Sequence, residues 1–221
     1  MYYEKELASL VGFGRTPVRQ ALQRLEIEGL VLIKQRKGIQ ITEVDLDVQL
    51  RLLKVRRPLQ NFIAEYAAER ANEEDRRTMF KFGKKLGNAS QDLPGTRSDA
   101  LIAVRQAHDL VVEACHNEFA KKTMRIVFGV SRRFWISHMQ REDFNIAAEL
   151  HSRLLINVAE GKTKDAVTAS NALLDYLEDF ALKQKNGSNK KTILIVLSHS
   201  EYVFIIIKTV KNYLGEKSVL L

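Results

Sequence analysis

Arg15, Thr16 and Arg19 stand within five residues of one another, directly after the triplet Gly12-Phe13-Gly14. A guanidinium pairs bidentately with a guanine edge, and arginine or threonine beside a helix N-terminus can hold a phosphate. Gln35-Arg36-Lys37-Gly38 is a second basic cluster, suited to a phosphate or a minor groove. A third set is His108 and His151, each inside an apolar run. Arg56, Arg57 and Arg105 are cations that could neutralise a carboxylate. No glycine-rich phosphate loop, GxSxG elbow or Cys/His zinc spacing occurs. His108 and Asp109, adjacent on a helix, do not make a catalytic pair. No activated nucleophile or base with an orienting partner can be named, so an enzyme is not expected.

These residues need elements to position them. Residues 4–11 place Leu7, Leu10 and Val11 on one helical face. Gly12 and Gly14 permit a sharp reversal at positive φ, with Phe13 plugging the angle. Thr16 is expected to cap a second helix, with Pro17 at its first position. Val18, Ala21, Leu22 and Leu25 then face inward, and Arg15, Arg19, Gln20 and Gln23 lie off that face. Gly29 is expected to close the helix. Val31 and Ile33, then Ile39 and Ile41, alternate as a two-stranded ribbon whose tip is the second basic cluster. This is the pattern of a winged helix-turn-helix, in which the start of the second helix enters the major groove. The competing reading is a core helix pair with solvated arginines.

The string GxxRTPVRxAL, then RLExEGL, then a basic wing with glycine resembles the DNA-binding domain of the GntR family of bacterial transcription regulators. The resemblance implies groove and phosphate contacts from Arg15 and Arg19 and a phosphate contact from Thr16. It also implies a basic contact from Lys5, and a wing of Arg36, Lys37 and Gly38. Gly14 stands where the family usually has serine. The family's first helix has no counterpart before Tyr3, which would leave part of the apolar face of the other two uncovered. The alternative to a working regulator is therefore a truncated partner that dimerises or binds ligand but no longer binds DNA.

The chain has 221 residues, 45% of them hydrophobic, and a net charge of +8 with pI near 9.5. That favours a polyanionic partner without proving one. A single cysteine, Cys115, allows no disulfide within one chain and suits a reducing cytoplasm. The N-terminus has early acidic charge and no long apolar core, unlike a signal peptide, and no stretch has the length of a membrane span.

Three segments are expected: residues 1–44 as the winged head, 45–185 as a helical effector-binding and dimerisation domain, and 186–221 as a linker and β-like tail. The fold class is thus mostly α, a head followed by an antiparallel bundle of about six helices. Pro58 should kink or split the first of them. Asn72 and Asp75 look like a cap. The loop 87–96, a break at Asn117, a cap at Asp143 and a stop at Gly161 divide the rest. Ile146, Leu150, Leu154 and Val158 form one inward stripe. His138 is expected to be exposed, and Trp135 to pack in the core or at a dimer interface. The tail runs 192–197 and 203–207 are β-branched and apolar.

His108-DLVVEAC-His116-Asn117 and Glu149-Leu150-His151-SRLLINVAEG resemble landmarks of the FadR-type branch of the family, whose C-terminal domain is called FCD. Many members hold a divalent metal such as zinc with an Asp and three His. Here His108 and His151 match two ligands, but Val104 and Leu173 stand at the other two positions and cannot coordinate. The expectation is a metal-free pocket of Arg56, Val104, Arg105, His108, His151 and Leu173. Its ligand would be a small metabolite, either a carboxylate or, given the apolar wall, an acyl chain. As the resemblance implies, the protein would be a cytoplasmic homodimeric repressor on a double-stranded operator.

Overall fold

The computed structural model describes residues 2–27, 31–35, 37–42, 45–89 and 97–187. They form two compact units that divide between Val44 and Asp45.

The first unit contains α1 (Glu4–Val11), α2 (Arg15–Ile27), β1 (Val31–Lys34) and β2 (Gly38–Ile41). Gly12 ends α1 in the left-handed region, φ +75°, where a side chain would be strained. Helix α2 starts at Arg15, so Thr16 and Pro17 lie inside its first turn rather than at its cap. The physical reason is that N–H groups of a first turn have no intrahelical acceptor, so proline is tolerated anywhere in it. The first helical bond here runs from Val18 N–H to Gly14 O, 3.4 Å. The strands pair antiparallel, Val31 opposite Ile41 and Lys34 opposite Gly38. Gly38 sits at φ +101°, which explains a glycine at the turn of the wing. Glu26 accepts a hydrogen bond from Ile33 N–H at 2.7 Å, tying α2 to β1. Tyr2 adds an isolated antiparallel bridge to Ile39. Leu7, Val11, Val18, Leu22, Leu25, Val31 and Ile39 close the core, with Phe13 packed against it. Leu10, expected inward, is 55% exposed. Gly29 and Arg36 lie outside the described residues.

The second unit holds α3 (Leu46–Arg70), α4 (Glu73–Ala89), α5 (Arg97–Ala114), α6 (Glu118–His138), α7 (Arg141–Ala159) and α8 (Thr163–Gly187). Helix α3 is central, touching α5, α6, α7 and α8, while α4 packs on α7. Pro58 does not split α3, which runs unbroken through it, although a proline inside a helix removes one backbone hydrogen bond. Asp45 caps α3 by accepting from Asp47 N–H and Val48 N–H. Asn72 and Asp75 cap α4 reciprocally, at 2.9 and 3.1 Å. Asn117 caps α6. Asp143 is not the cap of α7; it sits in the first turn and accepts from Gln140 N–H at 2.8 Å. Ile146 is 45% exposed, one step off the inward stripe. Helix α8 continues to Gly187, past the expected linker start, and the β-like tail lies outside the described residues.

Two close approaches fix this unit. A Cβ on Gly83 of α4 would come within 3.1–3.3 Å of Ile156, Leu155 and the carbonyl of Ser152, and Ser152 Oγ donates to Gly83 O at 2.7 Å. Arg76 bridges helix ends: its Nη1 donates to Val158 O and Ala159 O, both at 3.2 Å, and Nη2 to Ala68 O at 2.8 Å. The last carbonyls of a helix lack intrahelical donors, so one guanidinium satisfies groups of both α3 and α7. Replacing Arg76 by Met should therefore lower the urea-unfolding stability of the protein by about 2 kcal/mol, since charged hydrogen bonds to half-buried carbonyls are lost. Circular dichroism against urea measures it; an unchanged midpoint would refute the bridging role.

Candidate functional site

In the first unit, Arg15 and Arg19 project from the first two turns of α2 with side chains 68% and 60% exposed. Thr16 and Lys5 are exposed too, and so is Lys37 at the wing. Three sets of donors thus lie on solvent-facing positions, as phosphate and base-edge contacts require. Glu4, in the first turn of α1, reaches both arginines. Its Oε2 accepts from Arg19 Nε at 2.9 Å, and Oε1 is 3.6 Å from Arg15 Nε. That carboxylate raises the pKa of Arg19. A guanidinium bound through Nε keeps its outer Nη edge free, the edge that pairs with guanine. The glutamate was not evident from spacing, because it lies fifteen residues from Arg19 and meets it only through the α1–α2 turn.

In the second unit the helices border a partly open cavity of about 30 Å³, lined by Arg56, Val104, Arg105, Phe128, Trp135, Met139, Phe144, Ala147, His151 and Leu177. Four of the six expected pocket residues line it: Arg56, Val104, Arg105 and His151. His108 is buried but stacks on Phe128, ring centroids 4.1 Å apart. Leu173 is fully buried and not in the lining; Leu177, one turn on along α8, takes its place. Arg57, the other candidate from α3, points elsewhere. It pairs with Asp175 at 2.7 Å and Glu178 at 3.0 Å, tying α3 to α8. Trp135, expected only as packing, is part of the wall, and its Nε1 donates to Ser131 Oγ at 2.9 Å. His138 is half-buried rather than exposed, because its ring stacks on Phe134 and Nδ1 bonds Phe134 O at 2.9 Å. Phe128, Met139, Phe144 and Ala147 were missed; large apolar residues at helical spacing look the same whether they line a cavity or fill a core.

Arg56 is 1% exposed. Its Nε donates to Gln60 Oε1 at 2.8 Å, and Nη1 lies 3.5 Å from Ser131 Oγ. Among the described residues it has no carboxylate partner. Burial pushes its pKa down to about 10, so it stays charged at neutral pH. His151 is pushed down to about 3, by burial first and by the charges of His108 and Arg56 after the opposing bond to Ala147. His108 is also lowered, by burial first; its Nδ1 is 3.8 Å from Asp109, beyond hydrogen-bonding reach.

The donor set does not suit a metal ion. Val104 and Leu173 offer no ligand atom, and among the described residues no three His, Cys, Asp or Glu side chains converge. A guanidinium on the same cavity adds a repelling charge.

Models of known families match both units: the bacterial regulatory protein, gntR family, over residues 3–41, and the FCD domain over residues 51–176. The chain belongs to the GntR family and carries an FCD domain. It is a DNA-binding transcriptional regulator. It is 30% identical over 125 residues to the uncharacterized HTH-type transcriptional regulator YdhC of Bacillus subtilis, covering 56% of this chain and 55% of that one. The match thus spans just over half of YdhC. With the Uxu operon regulator of Haemophilus influenzae it shares 26% identity, over 81% of this chain and 71% of the relative. In fold it is similar to E. coli McbR/YncC, with a TM-score of 0.70 at 16% identity, covering 83% and 87% of the two chains. No helix among the described residues is long and apolar enough to cross a membrane.

Two outcomes are expected. Glu4→Gln frees both arginines, so affinity for non-specific DNA should rise about 3-fold while discrimination between cognate and scrambled duplex falls; anisotropy titrations on both duplexes measure this. The second concerns pH. His151 binds its proton less tightly folded than unfolded, so the unfolded chain takes up more protons between about pH 3 and 6.5 and stability rises with pH across that window. Full stability is present above about pH 6.5 and is lost as pH falls, by roughly 1 kcal/mol per unit for this histidine. Denaturant melts at pH 5 and 7 should show the loss, and His151→Asn should reduce it, leaving the part due to His108.

Proposed function

We propose that this regulator is a repressor that acts as a homodimer on a two-fold related operator in the cytoplasm, and that the FCD unit releases it on binding a small anionic effector. The supporting observation is the pairing of two arginine arrangements. Arg15 and Arg19 are exposed at the start of the helix that reads DNA in a winged helix-turn-helix. Arg56 is buried on a cavity with no counter-charge among the described residues, where an isolated cation is costly until an anion joins it. Residues 1–44 are the reading head and 45–185 the effector and dimerisation domain in this proposal. Arg15, Thr16, Arg19 and Lys5 contact the groove and its phosphates, and Arg36, Lys37 and Gly38 form the wing contact. Two heads double the base contacts, and a symmetric operator follows from a two-fold dimer. The effector shifts the balance between two arrangements of the dimer that bind DNA unequally. Regulation rather than turnover is the task of the FCD cavity, which sets an imidazole acceptor and a guanidinium among apolar walls without a nucleophile.

The test is binding to duplexes from the upstream region of the protein's own gene, followed by anisotropy over a range of salt. Arg15→Ala or Arg19→Ala should weaken specific binding by roughly 10- to 100-fold, the worth of a bidentate guanine contact. Lys37→Ala should weaken cognate and scrambled duplex alike and reduce the salt slope by about 1. Binding indifferent both to sequence and to these arginines would refute the reading and leave only the attraction of a basic protein for DNA.

A further inference from the structure

Helix α4 carries a charge pattern that neither the reading head nor the FCD cavity uses. Between Arg76 and Ala89 it has five basic residues, Arg76, Arg77, Lys81, Lys84 and Lys85, and no acidic one. Arg76 is engaged with the carbonyls of Ala68, Val158 and Ala159. The other four are exposed. Their spacing places them within roughly 100° of the helix circumference, on one face. The opposite face is fixed. Met79 and Leu86 are buried, a Cβ at Gly83 would press on Leu155 and Ile156 of α7, and Ser152 Oγ donates to Gly83 O. The packing therefore holds the basic stripe toward solvent.

Two features separate this stripe from an ordinary solvated face. Five other cations of the same unit are neutralised: Arg105 by Asp109, Lys121 by Glu113, Arg153 by Glu149, Lys162 by Glu160 and Lys185 by Asp47. Arg77, Lys81, Lys84 and Lys85 make no ion pair among the described residues. The stripe also sets like charges side by side. Arg77 and Lys81, and Lys81 and Lys85, are four residues apart, and Lys81 and Lys84 three, spacings at which like charges destabilise a helix. Lys84 Nζ lies 5.5 Å from the centroid of the Phe80 ring, itself 40% exposed. That attraction positions the ammonium without neutralising it.

Four cations along about 12 Å of helix, repelling one another and without a counter-ion, complement a polyanion of closely spaced charges. Double-stranded DNA carries one charge per ~1.7 Å of its axis, and this chain is a DNA-binding regulator. We propose that α4 is a second DNA-contacting surface, at which Arg77, Lys81, Lys84 and Lys85 hold phosphates of double-stranded DNA without reading its sequence. An acidic protein surface is a poorer match. A protein interface buries an apolar centre, and of large apolar side chains α4 exposes only Phe80 among the described residues. Lysine suits a phosphate contact, because a compact ammonium on a flexible stem follows the backbone and carries no base-edge code. The stripe thus adds affinity and salt dependence, and discrimination stays with the head. The proposal goes beyond the repressor and effector readings and depends on neither.

The experiment uses the full chain and two duplexes. One is the shortest segment of the protein's own upstream region that retains specific binding, and the other is the same segment between random-sequence flanks. Anisotropy titrations over a range of salt give the slope of log affinity against log salt on each. The slope should be steeper on the flanked duplex by about 3 per chain bound, the counterions released by the stripe. Replacing Lys81, Lys84 and Lys85 together by Gln should remove that difference and leave the short duplex bound as before. It should not lower the melting temperature, because exposed like charges are being removed. A control set, Lys121→Gln, Lys162→Gln and Lys185→Gln, takes the same net charge from paired sites and should leave the slope difference in place. Equal slopes on the two duplexes, a difference that survives the α4 substitutions, or an equal loss in the control set would each overturn the proposal, the last because net charge alone would then be acting. Salt-sensitive binding to any long duplex, indifferent to sequence yet lost with the α4 substitutions, would keep the α4 surface and overturn the reading of Arg15 and Arg19. No binding to either duplex would overturn both.

Discussion

The second unit is organised by one unfavourable fact, the burial of the Arg56 charge. Helix α3 is enclosed by four other helices and buries Gln49 and Gln60 as well as Arg56. Polar groups withdrawn from water must be matched. Gln49 Nε2 donates to Ser131 Oγ at 2.9 Å, Trp135 Nε1 reaches the same oxygen, and Gln60 Nε2 lies 3.5 Å from Ser170 Oγ. Among the described residues this network gives Arg56 neutral partners and no carboxylate. A fold selected for stability alone would place a hydrocarbon at residue 56. An arginine held there with neutral partners is informative because it costs stability in the absence of an anion.

The first unit treats the same side chain in the opposite way. Arg15 and Arg19 are in water, where a charge costs little, and they share the carboxylate of Glu4. Exposed pairs of this kind contribute little to stability, a few tenths of a kcal/mol to about 1. Their importance is orientation. A long flexible side chain loses rotamer freedom when it binds, and a buttressing carboxylate removes part of that freedom beforehand. Glu4 also occupies the Nε edge of Arg19, so the outer Nη edge is the one left for another acceptor. In the head the arginine is restrained but solvated; in the bundle it is desolvated among neutral partners.

How far each level was legible follows from the range of its determinants. The turn at Gly12, the α2 face of Val18, Ala21, Leu22 and Leu25, and the strand alternation around Gly38 are local, and the structure shows them where spacing places them. Pairing of Asn72 with Asp75 was legible for the same reason. The error at Thr16 was also local: a good cap residue and a proline inside a first turn give the same signature whichever of them starts the helix. Long-range choices were not legible. Arg56 and Arg57 are neighbours of equal chemistry, and only the positions of Asp175 and Glu178 on α8 decide that Arg57 is neutralised and Arg56 is not. Leu173 and Leu177 are one turn apart, and the exchange of one for the other in the lining depends on how α8 sits against the cavity. Trp135 could pack or line a wall from its sequence context alone.

A guanidinium on the wall of a pocket discriminates differently from a metal ion. A metal ion accepts lone pairs from carboxylate, hydroxyl and carbonyl oxygens alike, so its selectivity comes from the walls. Arginine offers a planar fork of donors that matches a carboxylate, and it leaves the imidazoles free of coordination. His151 then keeps the lone pair that a metal would consume, and its bond to Ala147 fixes which nitrogen presents it. The cavity is thereby polarised, donors on α3 and an acceptor on α7, with the aromatic rings of Phe128, Trp135 and Phe144 in its wall.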